Sequence, residues 1–78
     1  MILKIISAEK IVFEGEATSV TLPGEMGQVT VHPRHASLVS TLVAGKISYR
    51  RPSGEEESAA VSGGIADVDN DVVSVCVY

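Results

Sequence analysis

Side chains capable of nucleophilic, acid–base or metal chemistry are few in this chain of 78 residues. Its one cysteine is Cys76, and its two histidines, His32 and His35, lie three positions apart. A nucleophilic site needs Ser, Cys or Thr beside a histidine that a carboxylate orients, whereas Cys76 lies in a valine-rich run. The histidines could chelate a metal, but no second cysteine or nearby carboxylate cluster completes the ligand set. We therefore expect no catalytic residue and no metal site.

Two further clusters fit structural roles better than chemical ones. The acidic run Glu55–Glu57 faces Arg50 and Arg51 across the turn residues Pro52-Ser53-Gly54, which predicts a hairpin with opposite charges on its two strands. The pair Gly63-Gly64 is too short for a phosphate-binding loop and lacks the Lys-Ser/Thr that follows one. We expect no cofactor.

Short alternating apolar segments, separated by turn signals about every 8–12 residues, must position these side chains. They are Ile2–Ile6, Ile11–Phe13, Thr18–Leu22, Gln28–His32, Leu38–Val43, Lys46–Arg51, Ala59–Ser62, Ile65–Asp67 and Val72–Val77. The sequence has no heptad pattern, no helical stripe of useful length, no repeat and no linker. The pattern predicts an all-β sandwich or barrel that forms a single domain over residues 1–78.

Composition excludes several classes of function. The formal net charge is −4 with six basic residues, which disfavours binding to nucleic acid or an anionic lipid surface. No run approaches the roughly 18–20 apolar residues of a membrane span, and Lys4, Glu9 and Lys10 interrupt the apolar N-terminus too early for a signal peptide. A single cysteine suits a reducing compartment. We expect a soluble intracellular domain in which Cys76 is a small buried core residue.

The segment Leu22–Leu42 is the most informative part of the chain. It places Pro23, Gly24 and Gly27 before a short alternating strand, and a Pro-x-His-Ala turn beginning at Pro33 after it. Glycine permits positive φ and close backbone approach, and proline fixes φ. These residues restrict the loop to a defined backbone conformation. We therefore predict that Met26–His35 and the next strand form a partner surface.

Short motifs follow one another along the whole chain: Ser7-Ala8-Glu9, Phe13-x-Gly15, Val20-Thr21-Leu22-Pro23-Gly24, Gly27-Gln28-Val29, Pro33-x-His35-Ala36-x-Leu38, Ser62-Gly63-Gly64 and the closing valine-rich strand. Taken in this order, they resemble the N-terminal β-sandwich domain of the F-type ATP synthase epsilon subunit, the subunit called delta in mitochondria. The resemblance covers essentially the whole chain. Each short motif alone is weak evidence for the family, but several of them at the spacing of the family are a specific signal.

The resemblance implies a flattened sandwich of about nine or ten short, mainly antiparallel strands. It also implies a non-catalytic central-stalk subunit, monomeric within the complex, that links the gamma subunit to the membrane c-ring and couples ion flow to ATP synthesis. Such a subunit would lie at the cytoplasmic face of the bacterial inner membrane and meet the membrane only through the complex. The positions that match the gamma-facing ones of the family are Ser7, His35 and Ser40. The positions that match the ring-facing loop are Glu25, Met26, Gly27 and Gln28.

The sequence departs from the family pattern in the loop and at its end. Thr30 and Arg34 stand where relatives commonly have glycine, Ser37 stands where they have proline, and Gln28 stands where many have an acid. We expect a less bent loop and altered charge pairing with the ring. Residues 1–78 do not include the C-terminal helical hairpin of most members, and we expect these residues alone to show no hairpin-dependent inhibition or ATP binding. The alternative is a stand-alone β-sandwich that binds a peptide or small ligand. A third interpretation, a hydrolase, lacks any plausible set of catalytic residues in the sequence.

Overall fold

The computed structural model describes all residues, Met1–Tyr78, and is built entirely of strands and turns. The prediction of an all-β fold is confirmed, with nine strands. No helix is present, and so none that is long and apolar enough to cross a membrane. The strands are β1 Ile2–Ile6, β2 Ile11–Glu16, β3 Ser19–Gly24, β4 Gly27–Val31, β5 Leu38–Leu42, β6 Gly45–Arg50, β7 Glu56–Val61, β8 Gly64–Asp69 and β9 Val72–Val77.

All nine strands belong to one sheet that curls over on itself. Its order is β2-β1-β9-β8-β5-β3-β6-β7, with β4 on the free side of β3. All pairs are antiparallel except β1 with β9. The fold-over lies at β3, where the start of the strand pairs with β6 and its end pairs with β5. We call β2-β1-β9-β8-β5 the first layer and β4-β3-β6-β7 the second layer.

Alternate side chains of both layers point inward and form one apolar core. It contains no buried polar or charged side chain. Removal of a Val, Leu or Ile side chain from water contributes about 1.5–3 kcal/mol, so this interior supplies most of the favourable free energy of folding. The core residues are Leu3, Ile5, Ala17, Val20, Leu22, Val31, Leu42, Ile47, Tyr49, Ala66, Val68, Val73 and Val75.

Aromatic and charged side chains join the two layers along one edge. The Phe13 ring of β2 lies 4.4 Å from the Tyr49 ring of β6, centroid to centroid. The Arg51 guanidinium lies 5.8 Å from the Phe13 centroid and 3.0 Å from the Glu57 carboxylate. Burial raises the pKa of the Tyr49 hydroxyl, and the nearby Glu57 charge acts in the same direction while Arg51 opposes it. The Phe13 and Tyr49 rings and the Arg51–Glu57 ion pair therefore pack β2 of one layer against β6 of the other.

The charged hairpin that the sequence predicts is confirmed. Arg50 contacts Glu56 at 3.2 Å and Arg51 contacts Glu57 at 3.0 Å across the β6–β7 connection. Both pairs are solvent-exposed and worth roughly 0.2–1 kcal/mol each. They stabilise the register of β7, the edge strand of the second layer, more than they stabilise the fold.

Several strands extend beyond the segments that the sequence predicts, because pairing overrides local propensity. β2 continues through Gly15 because Gly15 pairs with Leu3 of β1. β3 continues through Pro23, whose carbonyl accepts a hydrogen bond from the Val43 N–H although proline has no N–H to give. β7 begins at Glu56, three residues before the predicted segment, because its partner β6 runs as far as Arg50.

Candidate partner-binding face

The outward-facing surfaces of the two layers differ in polarity. The second layer presents hydroxyl and charged side chains from β3, β4, β6 and β7, among them Thr21, Thr30, Lys46, Ser48, Arg50 and Ser58. The first layer presents large exposed apolar side chains. We call this surface of the first layer the apolar face and define it by Ile6, Ile11, Val39, Ile65 and Cys76.

Strand register aligns most of these side chains in one row. Ile11 of β2 pairs with Ile6 of β1, which pairs with Cys76 of β9, and Cys76 pairs with Ile65 of β8. Neighbouring strands lie about 4.8 Å apart, so the row spans roughly 14 Å across four strands. Val39 of β5 lies one row away and is 73% exposed. A contiguous apolar patch of this kind marks an interaction surface more often than scattered apolar residues do.

The prediction that Cys76 is a core residue is wrong, because its side chain is exposed. The residues before it on β9 alternate, and Val73 and Val75 are fully buried. Period-2 alternation therefore directs Cys76 to the outer side of the strand. Both sides of β9 carry apolar residues, so the valine-rich run could not reveal which side is buried.

A mixed row of charged and polar side chains runs beside the apolar row. Lys4 of β1 pairs in register with Ser74 of β9, which pairs with Asp67 of β8, and Asp67 pairs with Val39 of β5. The Lys4 ammonium lies 3.7 Å from the Glu14 carboxylate on β2. The Asp67 side chain is exposed and belongs to none of the ion pairs of the domain.

The loop between β4 and β5 is fixed at one end of the first layer by the β8–β9 hairpin. The Arg34 N–H donates to the Asp71 carboxylate at 2.8 Å, and the Ser37 hydroxyl donates to the Asp69 carboxylate at 2.8 Å. Arg34, Asn70 and Asp71 are the three non-glycine residues with positive φ, at 65°, 48° and 63°. Arg34 thus takes the left-handed conformation that glycine favours.

We predict that Asp71→Gly frees this loop without disturbing the turn. Glycine tolerates the positive φ of position 71 but removes the carboxylate that accepts the Arg34 N–H. Hydrogen exchange of the Arg34 amide, measured by NMR, should become at least about tenfold faster. A charge-assisted hydrogen bond is worth about 1.5–3 kcal/mol, and each loss of about 1.4 kcal/mol in protection makes exchange tenfold faster.

Two variants at the same turn serve as controls. Asp71→Asn keeps both an acceptor oxygen and tolerance of positive φ, and Asn70→Gly makes the same change to glycine beside Asp71. Exchange at Arg34 should stay near the wild-type rate in Asn70→Gly and should accelerate less in Asp71→Asn than in Asp71→Gly, because a neutral amide oxygen still accepts the hydrogen bond but more weakly than a carboxylate. Equal acceleration in Asn70→Gly and Asp71→Gly would contradict the role of the carboxylate.

The structure separates the three residues predicted to face the gamma subunit. Ser7 lies where β1 ends, and its hydroxyl bonds to Lys10 within the β1–β2 turn. His35 lies in the β4–β5 loop at the opposite end of the first layer; its ring is exposed and its Nδ1 lies 2.7 Å from the Ala36 carbonyl oxygen. Ser40 is half-buried on the inner side of β5, opposite to Val39. One broad surface would be needed to contact all three.

The predicted ring-facing segment, Glu25–Gln28, forms the tip of the β3–β4 hairpin beside β5. The Glu25 N–H donates to the Thr41 carbonyl at 2.8 Å, and the Met26 side chain is fully exposed. A Cβ built on Gly24 would lie 3.3 Å from the Ser40 hydroxyl oxygen. The tip therefore adjoins Ser40, although sequence analysis assigned the two to different partners.

Sequence reasoning missed the residues of the apolar face. The alternating segments do not by themselves single out the outward side chains of β1, β2 and β8 as a surface. The sequence feature that could have indicated this face is an apolar side chain at an outward position of each of its strands. Only the order β2-β1-β9-β8-β5 shows that these positions are neighbours.

Comparison with known proteins adds a family match over the whole chain. Residues 1–78 match the family described as "ATP synthase, Delta/Epsilon chain, beta-sandwich domain". The chain is 45% identical to the ATP synthase epsilon chain of Stenotrophomonas maltophilia over 71 residues, which are 91% of this chain and 51% of that protein. It is also 45% identical to the epsilon chain of Xanthomonas campestris over 73 residues, 94% of this chain and 52% of that one. The chain thus spans about half the length of these relatives.

Solved structures show the same fold. A chain of the mitochondrial ATP synthase of Euglena gracilis, in its OSCP/F1/c-ring assembly, superposes with a TM-score of 0.92 at 23% identity, over 99% of this chain and 49% of that chain. A chain of the Tetrahymena thermophila mitochondrial ATP synthase, in its central stalk and c-ring structure, superposes with a TM-score of 0.81 at 11% identity, over 97% and 61%.

Proposed function

The chain belongs to the ATP synthase delta/epsilon chain family of β-sandwich domains, and on that premise we propose that it acts as a non-catalytic part of the central stalk of a rotary ATP synthase. In this role it links the gamma subunit to the membrane c-ring, and so couples ion flow to ATP synthesis. It works at the cytoplasmic face of the bacterial inner membrane as a peripheral component of the complex.

The apolar face is the observation that supports this proposal most strongly. Ile6, Ile11, Ile65 and Val39 are between 38% and 73% exposed on one side of the first layer, while the outer side of the second layer is polar. Burying apolar side chains against another protein is favourable by about 25 cal/mol per Å² of apolar area, before the costs of association are subtracted. We assign this face to the gamma subunit.

The two ends of the first layer extend the proposed gamma contact. Ser7 lies beyond the end of β1 that carries Ile6, and His35 lies on the loop fixed by Asp71. Because that loop is already held in place, little ordering entropy opposes its docking. His35 then contacts gamma at the edge of the interface, whereas Ser40 lies on the inner side of β5, away from the apolar face.

The hairpin tip is the element we assign to the c-ring. Its residues Glu25–Gln28 are all exposed, Met26 fully, and Gly27 holds a φ of 125° that favours glycine. Thr41 fixes the tip through the Glu25 N–H at 2.8 Å. A rigid tip at the rim of the gamma-binding face can touch a second partner while the face itself is covered.

Binding to purified gamma subunit tests the proposal directly. We expect a 1:1 complex by isothermal titration calorimetry, with the negative heat-capacity change that burial of apolar surface produces. In a second experiment the isolated c-ring is added to the complex of this chain with the gamma subunit. The c-ring should then co-elute with that complex in size-exclusion chromatography. The proposal is wrong if neither partner binds, and binding of an unrelated peptide alone would favour the stand-alone module instead.

A further inference from the structure

Asp67 occupies an unusual position on the apolar face. It points outward from the middle of β8, two residues from Ile65 on the same side of the strand, and pairs in register with Val39 of β5 and Ser74 of β9. Its side chain forms no ion pair within the domain. In the free protein water solvates the carboxylate, but a partner that covers Val39 and Ile65 must also cover Asp67.

Covering an unpaired carboxylate is strongly unfavourable. A buried charge keeps its ionised form at tolerable cost only when an opposite charge and hydrogen bonds replace its water. An apolar partner surface would therefore lose affinity at this position. Complementary charges across an interface fix its register and disfavour wrong partners, so a charged residue that an interface covers is a determinant of specificity.

The domain offers no cation of its own to Asp67. Lys4 lies in the same row but two strands away, a separation of about 9–10 Å between backbones, and its ammonium lies 3.7 Å from Glu14. The neighbouring acid Asp69 already accepts a hydrogen bond from Ser37 at 2.8 Å. Because Glu14 already engages Lys4, the cation that pairs with Asp67 in the complex is expected on the partner.

We propose that Asp67 is the specificity determinant of the apolar face, and that it recognises a lysine or arginine side chain which the gamma subunit presents between the contacts to Val39 and Ile65. The inference rests on the proposed gamma docking and names the chemistry that docking requires. The partner surface is thus apolar with one embedded basic residue, and a purely apolar surface is rejected.

The test compares Asp67→Asn, Asp67→Lys and the matched control Glu55→Gln for binding to purified gamma subunit. Glu55 is exposed, lies outside the apolar face and makes no side-chain ion pair, and its change alters net charge as much as Asp67→Asn does. We expect Asp67→Asn to weaken binding at least about tenfold and Asp67→Lys at least about a hundredfold, within the range that loss of one partner of a buried charge pair produces. The control should change the dissociation constant less than about twofold.

The salt dependence of gamma binding distinguishes an ion pair at Asp67 from a merely structural role of this residue. The wild-type dissociation constant should rise more between about 50 and 300 mM salt than that of Asp67→Asn, because only the wild type forms the ion pair. Thermal melting confirms that each variant is folded before binding is measured.

Three results separate the alternatives. Unchanged affinity of Asp67→Asn would show that no cation faces Asp67, and tighter binding would show that the carboxylate is desolvated without a partner; either result overturns the inference. Absence of wild-type binding would instead overturn the proposed gamma docking, and with it the premise of the inference.

Discussion

Val39→Asp is expected to weaken binding of the gamma subunit at least about a hundredfold, or about 2.8 kcal/mol, while leaving the domain folded. Val39 is 73% exposed on the outer side of β5, so the isolated domain loses little by the change. In the complex the new carboxylate would be buried beside Asp67, its register partner, and two like charges would be desolvated together. Isothermal titration calorimetry measures the binding, and circular dichroism the fold.

Ser58→Asp is the matched control for Val39→Asp. Ser58 lies on β7 and faces outward from the second layer, opposite its register partner Ser48. The same charge placed there should change the dissociation constant by no more than about twofold, because exposed charges far from an interface contribute little. Equal weakening by the two substitutions would mean that a general charge effect, and not the apolar face, governs binding.

Gly64→Ala is expected to cost at least about 3 kcal/mol of unfolding free energy, at the upper end of what overpacking usually produces. A Cβ at this position would overlap the carbonyl oxygen of Cys76 and lie 3.0 Å from the Cα of Val77. These are backbone atoms of the paired strand β9, so no side-chain rotation relieves the overlap. The melting temperature should fall by about 12–24 °C, as a loss of that size implies for a domain of 60–100 residues.

Gly27→Ala separates overlap from backbone conformation. Gly27 has a φ of 125°, but no atom lies within 4 Å of the position that a Cβ would take there. Alanine at this position is strained without being crowded and should cost about 1–2 kcal/mol. Chemical denaturation with a common m-value gives both free energies. If Gly64→Ala lost no more stability than Gly27→Ala, the close approach of β8 and β9 would not be the reason for glycine at position 64.

The sequence determined the class of fold, the turns and the family by itself. The alternating segments became strands, and in β1, β3 and β6 one of the two alternating sets is buried: Leu3, Ile5, Val20, Leu22, Ile47 and Tyr49. Oppositely charged residues around Pro52-Ser53-Gly54 predicted the β6–β7 hairpin. These features depend on residues that are near one another along the chain, so a single sequence carries them.

Only the tertiary structure decided where the apolar face lies and what adjoins it. Ile6, Ile65 and Cys76 are neighbours because β1 pairs with β9 in parallel and β9 pairs with β8, contacts that join the two ends of the chain. The sequence placed Cys76 in the core because a strand with apolar residues on both sides does not reveal its buried side. Likewise, the separation of Ser7 from His35 and the position of Asp67 follow from strand order. Strand order is fixed by backbone pairing between residues distant in sequence, and local composition does not encode it.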